Sequence, residues 1–196
     1  LTTPIVPLAE DAPRRDPAPG DLELIRQFVN TYDVETAWEG LGSSADLGAW
    51  LAERRLLPAN RRLTDADLAT ATTFREALRE ALAANAGHGE AAAARTTLDH
   101  LAAHYPVRVR LDGGAHLESS GGTGVAPAIA GLLGTMYDAM TLGTWERLKV
   151  CRNDECQWAF YDHSRNHSGA WCRMASCGNR MKGRAFRARH AQAAEA

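Results

Sequence analysis

Residues 151–189 read CRNDECQWAFYDHSRNHSGAWCRMASCGNRMKGRAFRAR and hold all four cysteines of a 196-residue chain. The cysteines form two C-x4-C pairs, Cys151 with Cys156 and Cys172 with Cys177, and fifteen residues separate the pairs. Four thiolates complete the tetrahedral shell that Zn²⁺ prefers, and a closed shell leaves no position for a catalytic water. The expectation is therefore one structural zinc ion. No charged n-region followed by an apolar h-region is visible at the start, so the chain is expected in the cytoplasm. Thiols stay reduced there, which favours a metal over disulfides.

The residues around the cysteines extend this reading. A short strand over residues 157–161 should carry Trp158, Phe160 and Tyr161 over the metal. His163 and His167 lie between the pairs at i, i+4. With four cysteines present they are assigned to phosphate contact, hydrogen bonding or plain surface. Gly178 is expected to turn the backbone so that amides face sulfur, and Asn179 to cap a following helix. In that helix Arg180, Arg184 and Arg187 recur at i, i+4 and i+7, beside a surface of Lys182, Phe186, Arg189 and His190. Cations at this spacing suit phosphates, and arginine can read guanine. Arg180, Lys182, Arg184 and Arg187 are thus the candidate DNA contacts.

Charge divides the chain. Residues 145–196 carry ten Lys and Arg against five Asp and Glu, a formal +5, whereas residues 1–144 carry twelve against nineteen, a formal −7. Any footprint on nucleic acid must therefore be in the tail. The same division allows the basic helix to neutralise the acidic part instead.

Working back from the tail, residues 1–20 hold five of the eight prolines and are expected to be mobile. Asp21 should cap a helix through Asn30, and Ser44 or Asp46 a second one through about Leu57, before Pro58. Thr64 and Asp67 form a T-x-x-D start to a third helix, with Leu68, Ala71, Phe74, Leu78 and Leu82 as its stripe. A fourth spans residues 90–104. Val107, Val109 and Leu111 alternate with arginines, so a hairpin turns at residues 112–114 and returns over 115–119. A long helix over residues 125–142 ends at Gly143. No apolar run reaches the roughly 20 residues of a membrane helix. No Walker loop, G-x-S-x-G or H-E-x-x-H motif is present, and His100 and His104 at i, i+4 are read as surface residues. The chain is read as no enzyme.

The segment resembles the CGNR-type zinc finger in Phe160-Tyr161-Asp162, Ser164, Asn166, Trp171-Cys172, Met174 and Cys177-Gly178-Asn179-Arg180. The preceding part resembles the ABATE domain in Phe28-Val29-Asn30-Thr31 and in the run from Asp46-Leu47 to Trp50-Leu51. The resemblance implies a bacterial transcription regulator, with stress response the usual suggestion. It places zinc on Cys151, Cys156, Cys172 and Cys177, and makes Arg180 the first candidate DNA contact. The chain departs from the family in having Gly169-Ala170 where arginines are common.

The expected architecture is mainly α with a small β-hairpin. A mobile segment, residues 1–20, precedes a helical ABATE-like domain, residues 21–144. A four-cysteine finger with its basic helix, residues 145–196, completes the chain. The expected partner is DNA, with a homodimer and a small-molecule or protein effector on the helical part as further candidates. The competing reading is a zinc-stapled protein–protein interaction module without direct DNA binding.

Overall fold

The computed structural model describes residues 16–194 except 113 and 115. The longest helix, α3 (Asp65–Asn85), begins where the sequence indicates. The Thr64 hydroxyl accepts from the Asp67 amide, while the Asp67 carboxylate accepts from the Thr64 amide at 2.8 Å. This reciprocal box satisfies two of the amides a helix start leaves open. Asp67 also accepts from the Val125 amide at 2.8 Å, which sets the start of α5 (Ala126–Thr141) against α3. Ala71, Phe74, Leu78 and Leu82 are buried along α3, as their spacing predicts.

Two other helix starts differ from expectation. In α1 (Leu22–Val29) Asp21 makes no side-chain cap bond. Glu23 reaches back instead, accepting from the Ala18 amide at 2.8 Å and pairing with Arg26. Ala18 is buried, so the last residues of the proline-rich segment are packed; residues 1–15 of that segment lie outside the described residues. In α2 (Ser44–Glu53) the cap is Ser43, whose hydroxyl accepts from the Asp46 amide. This helix stops at Glu53 rather than near Leu57, because Arg55 adopts a left-handed φ of 58° that no α-helix continues. The next helix, α4 (Ala91–His104), falls as read.

Among the described residues there are three antiparallel strand pairs rather than one. β1 (Tyr32–Asp33) and β2 (Trp38–Glu39) form a pair the sequence reading lacked. β3 (Val107–Arg110) and β4 (His116–Ser119) are the expected hairpin, with Val107 opposite Ser119 and Arg110 opposite His116. β5 (Leu148–Val150) pairs with β6 (Ala159–Tyr161), Leu148 opposite Tyr161 and Val150 opposite Ala159. A short 3₁₀ turn (Trp145–Arg147) leads into β5, and a π turn (Met174–Gly178) into α6 (Asn179–Ala194).

One apolar core joins these parts. Ile25, Phe28, Leu47, Leu51, Phe74, Leu78, Leu82, Ile129 and Leu132 pack with Trp145, Leu148, Val150 and Ala159. The β5–β6 pair is therefore seated in the helical core. The cysteines form a second, smaller cluster outside it. No helix among the described residues is long and apolar enough to cross a membrane.

Candidate metal centre and basic helix

β5 runs directly into Cys151, whose amide donates to the Trp158 carbonyl at 3.0 Å. The carbonyl of Asn153 then accepts from the amides of Cys156 at 2.8 Å and Gln157 at 3.0 Å, and Gln157 turns the chain with φ 46°. This tight turn folds Cys156 back beside Cys151. The π turn brings Cys177 to them. The four sulfurs lie within 4.8 Å of one another, with Cys172 Sγ 3.6 Å from those of Cys156 and Cys177. All four are free thiols. Zinc–sulfur bonds of about 2.3 Å in a tetrahedron place sulfurs roughly 3.8 Å apart, so the donor set fits one structural zinc ion. Asn153 Nδ2 points at Cys177 Sγ from 3.9 Å, a donor placed for a thiolate.

The thiols are electrostatically coupled. The hydrogen bond from Cys156, helped by one from Cys172, pulls Cys151 down to about 2. The same bond to Cys151, with burial added, pushes Cys156 up to about 12.

The residues around the cysteines have different roles from those expected. A Cβ at Gly178 would stand 2.5 Å from Met174 Sδ and 3.1 Å from the Trp171 ring. Glycine there provides room, and its amide donates to the Arg173 carbonyl at 3.1 Å rather than to sulfur. Asn179 has helical angles and donates from Nδ2 to the Ala175 carbonyl, so the π turn runs into α6 without a side-chain cap. Trp158 and Trp171 pack on the cysteines, whereas Tyr161 packs on the helical core. His163 sits with Nε2 at 3.2 Å from the Pro17 carbonyl, and His167 is exposed with φ 52°.

Asp162 is buried and anchors the loop between the cysteine pairs. It accepts from Lys149 Nζ at 2.7 Å, the Ser164 amide at 3.0 Å and the Gly169 amide at 2.7 Å. Burial opposes its charge, but the bonds from Lys149, Ser164 and Gly169 prevail and hold the carboxyl well below the usual range. A Cβ at Gly169 would meet this carboxyl carbon at 2.7 Å. Glycine at position 169 thus leaves space for the carboxylate.

Buried polar groups tie the finger to the helices. Asn30 donates to the Ala159 carbonyl at 2.9 Å and accepts from its amide at 2.7 Å, pairing with β6 as a neighbouring strand would. Arg79 donates to the carbonyls of Val29 at 2.7 Å, Tyr32 at 3.1 Å and Gln157 at 3.0 Å. Asn85 and Arg152 make similar cross-connections, to Leu148 and to Ala86. The sequence reading found none of these roles. The Phe28-Val29-Asn30-Thr31 string was the one signal that touched them.

α6 carries Arg180, Lys182, Arg184, Arg187 and Arg189 and no acid. From Arg180 to His190 every residue except Met181 and Gly183 is exposed. Arg180 pairs with Glu35, on the loop between β1 and β2, at 2.7 Å, and Arg184 pairs with Glu155 of the finger at 2.7 Å. Among the described residues no carboxylate pairs with Lys182, Arg187 or Arg189.

Family models match both parts of the chain. The CGNR zinc finger matches residues 147–190. ABATE, described as a putative stress-induced transcription regulator, matches residues 22–140. No match is found among curated proteins. The second model spans more than half the chain, and the first covers the four-thiol cluster and most of α6. The chain belongs to the ABATE family and carries a C-terminal CGNR zinc finger with one structural zinc ion.

Proposed function

We propose that the protein is a DNA-binding transcription regulator whose α6 meets the duplex, with Cys151, Cys156, Cys172 and Cys177 as the zinc ligands that hold it. Arg180, Lys182, Arg184 and Arg187 are its contacts to phosphate and to base edges. The observation that carries this reading is a helix with five cations, no acid and almost no buried face, fixed at its base by the metal site. Such a helix gains little from its own protein and is matched by a polyanion. Its pairs with Glu35 and Glu155 are solvent-exposed, and exposed pairs contribute little to stability, so phosphates can replace them. In this reading the helical body, residues 21–144, pairs two subunits or takes an effector, and the protein works in the cytoplasm with no catalytic step.

The link between Arg180 and Glu35 favours a second reading, in which zinc staples an interaction module and the basic helix serves its own acidic body. Anisotropy titrations on genomic duplexes at several salt concentrations separate the two. In the DNA reading each of Arg180→Ala, Lys182→Ala, Arg184→Ala and Arg187→Ala weakens binding and lowers the salt slope by about 1. Glu35→Gln has the opposite effect on affinity, because it releases Arg180. No retention at low salt would leave the module reading in place.

A further inference from the structure

The two long faces of α6 are not equivalent. Arg180 turns toward the helical body, held by Glu35, and Arg184 toward the finger's first cysteine turn, held by Glu155. Lys182, Phe186 and Arg189 follow at i, i+4 and i+7, roughly opposite at 100° per residue. Phe186 is 55% exposed. Its ring lies 4.2 Å from that of His190, so two flat rings stand together on a cationic surface. A shallow recess beside them is lined by Lys182, Gly183, Ala185, Phe186, Arg187 and Arg189.

From this arrangement we infer that the Phe186 face takes DNA with an accessible base, Phe186 stacking on the base while Lys182 and Arg189 hold the flanking phosphates. An aromatic face among cations is the surface that binds unstacked bases. A lipid surface fits less well, because a membrane-seated helix needs a broad apolar face and this one offers a single large apolar side chain. An acidic protein surface would use the cations but leave the ring without a flat partner. The inference rests on the DNA-binding reading and adds to it the form of DNA preferred.

The test uses the full, zinc-loaded chain. Its affinity is measured for a short paired duplex and for the same duplex with an unpaired bubble containing the fluorescent base analogue aminopurine. The bubble should bind roughly tenfold tighter, with aminopurine emission quenched by stacking. Phe186→Ala should lose both the preference and the quenching while keeping its zinc content and its affinity for the paired duplex. Phe186→Tyr should keep both. Equal binding of the two DNAs by the wild type would overturn the inference and leave the DNA-binding reading standing, as would a preference surviving in Phe186→Ala. Failure to bind either DNA at low salt would overturn both. Retention on anionic phosphatidylglycerol vesicles in preference to DNA would overturn the inference in favour of a lipid surface.

Discussion

Removing the zinc, by a strong chelator or by Cys177→Ser, should melt the cysteine turns and α6 and leave folded the helical body with the β5–β6 pair seated in it. The finger's own cluster consists of three buried cysteines with Trp158, Trp171 and Cys172 packed on them, and contains no aliphatic side chain. So small a core cannot offset the entropy of ordering the segment. Zinc binding contributes about 10–16 kcal/mol in isolated finger peptides, comparable to the stability of a whole domain. The helical core contains none of the cysteines. Circular dichroism should therefore lose the ellipticity of α6, and hydrogen exchange should accelerate in the cysteine turns and α6 but not in α3 or β6. The effect has a definite sign with pH. All four thiols must ionise to bind zinc, so zinc affinity falls as pH falls. A metal-free protein that retained α6 would show that the zinc is not the finger's core.

Asp162→Ala should cost about 3–5 kcal/mol, because it leaves the Lys149 ammonium buried without its carboxylate. For a chain of this length that is a fall in melting temperature of roughly 6–20 °C. The combination of Lys149→Met with Asp162→Leu should recover much of the loss, since burying no charge is often as stable as burying a pair. A single substitution as mild as the double one would mean that water reaches Lys149. The folded carboxyl is held far below its unfolded value, so its contribution is complete above about pH 4 and lost as pH falls from there. Acid titration of stability should be steeper in the wild type than in the Asp162→Ala variant.

The features legible in the sequence are those whose cause is local. The Thr64 and Asp67 box, the alternation Val107–Arg108–Val109–Arg110 and the paired cysteines each act within a few residues, and each led to the right element. The strand β5 is not legible in the sequence because its central residue is Lys149, whose charge disguises a fully buried run. Arg75 and Arg79 look like the polar side of α3, yet both are buried. Arg75 meets Glu39, 36 residues away, and Arg79 meets Gln157, 78 residues away. Asn30 meets Ala159 across 129 residues. No window along the chain contains both partners of such a contact. In the finger the cysteines were found by spacing, but the demands of Gly169 and Gly178 are steric and appear only once Asp162, Trp171 and Met174 stand around them.

Arg79 works as a keystone. One planar guanidinium gathers carbonyls from the end of α1, from β1 and from the turn that carries Cys156. A lysine could not span the three, because its ammonium is a point charge without the rigid fork. The bearing of α6 is consequently inherited from the helical body rather than chosen by the finger.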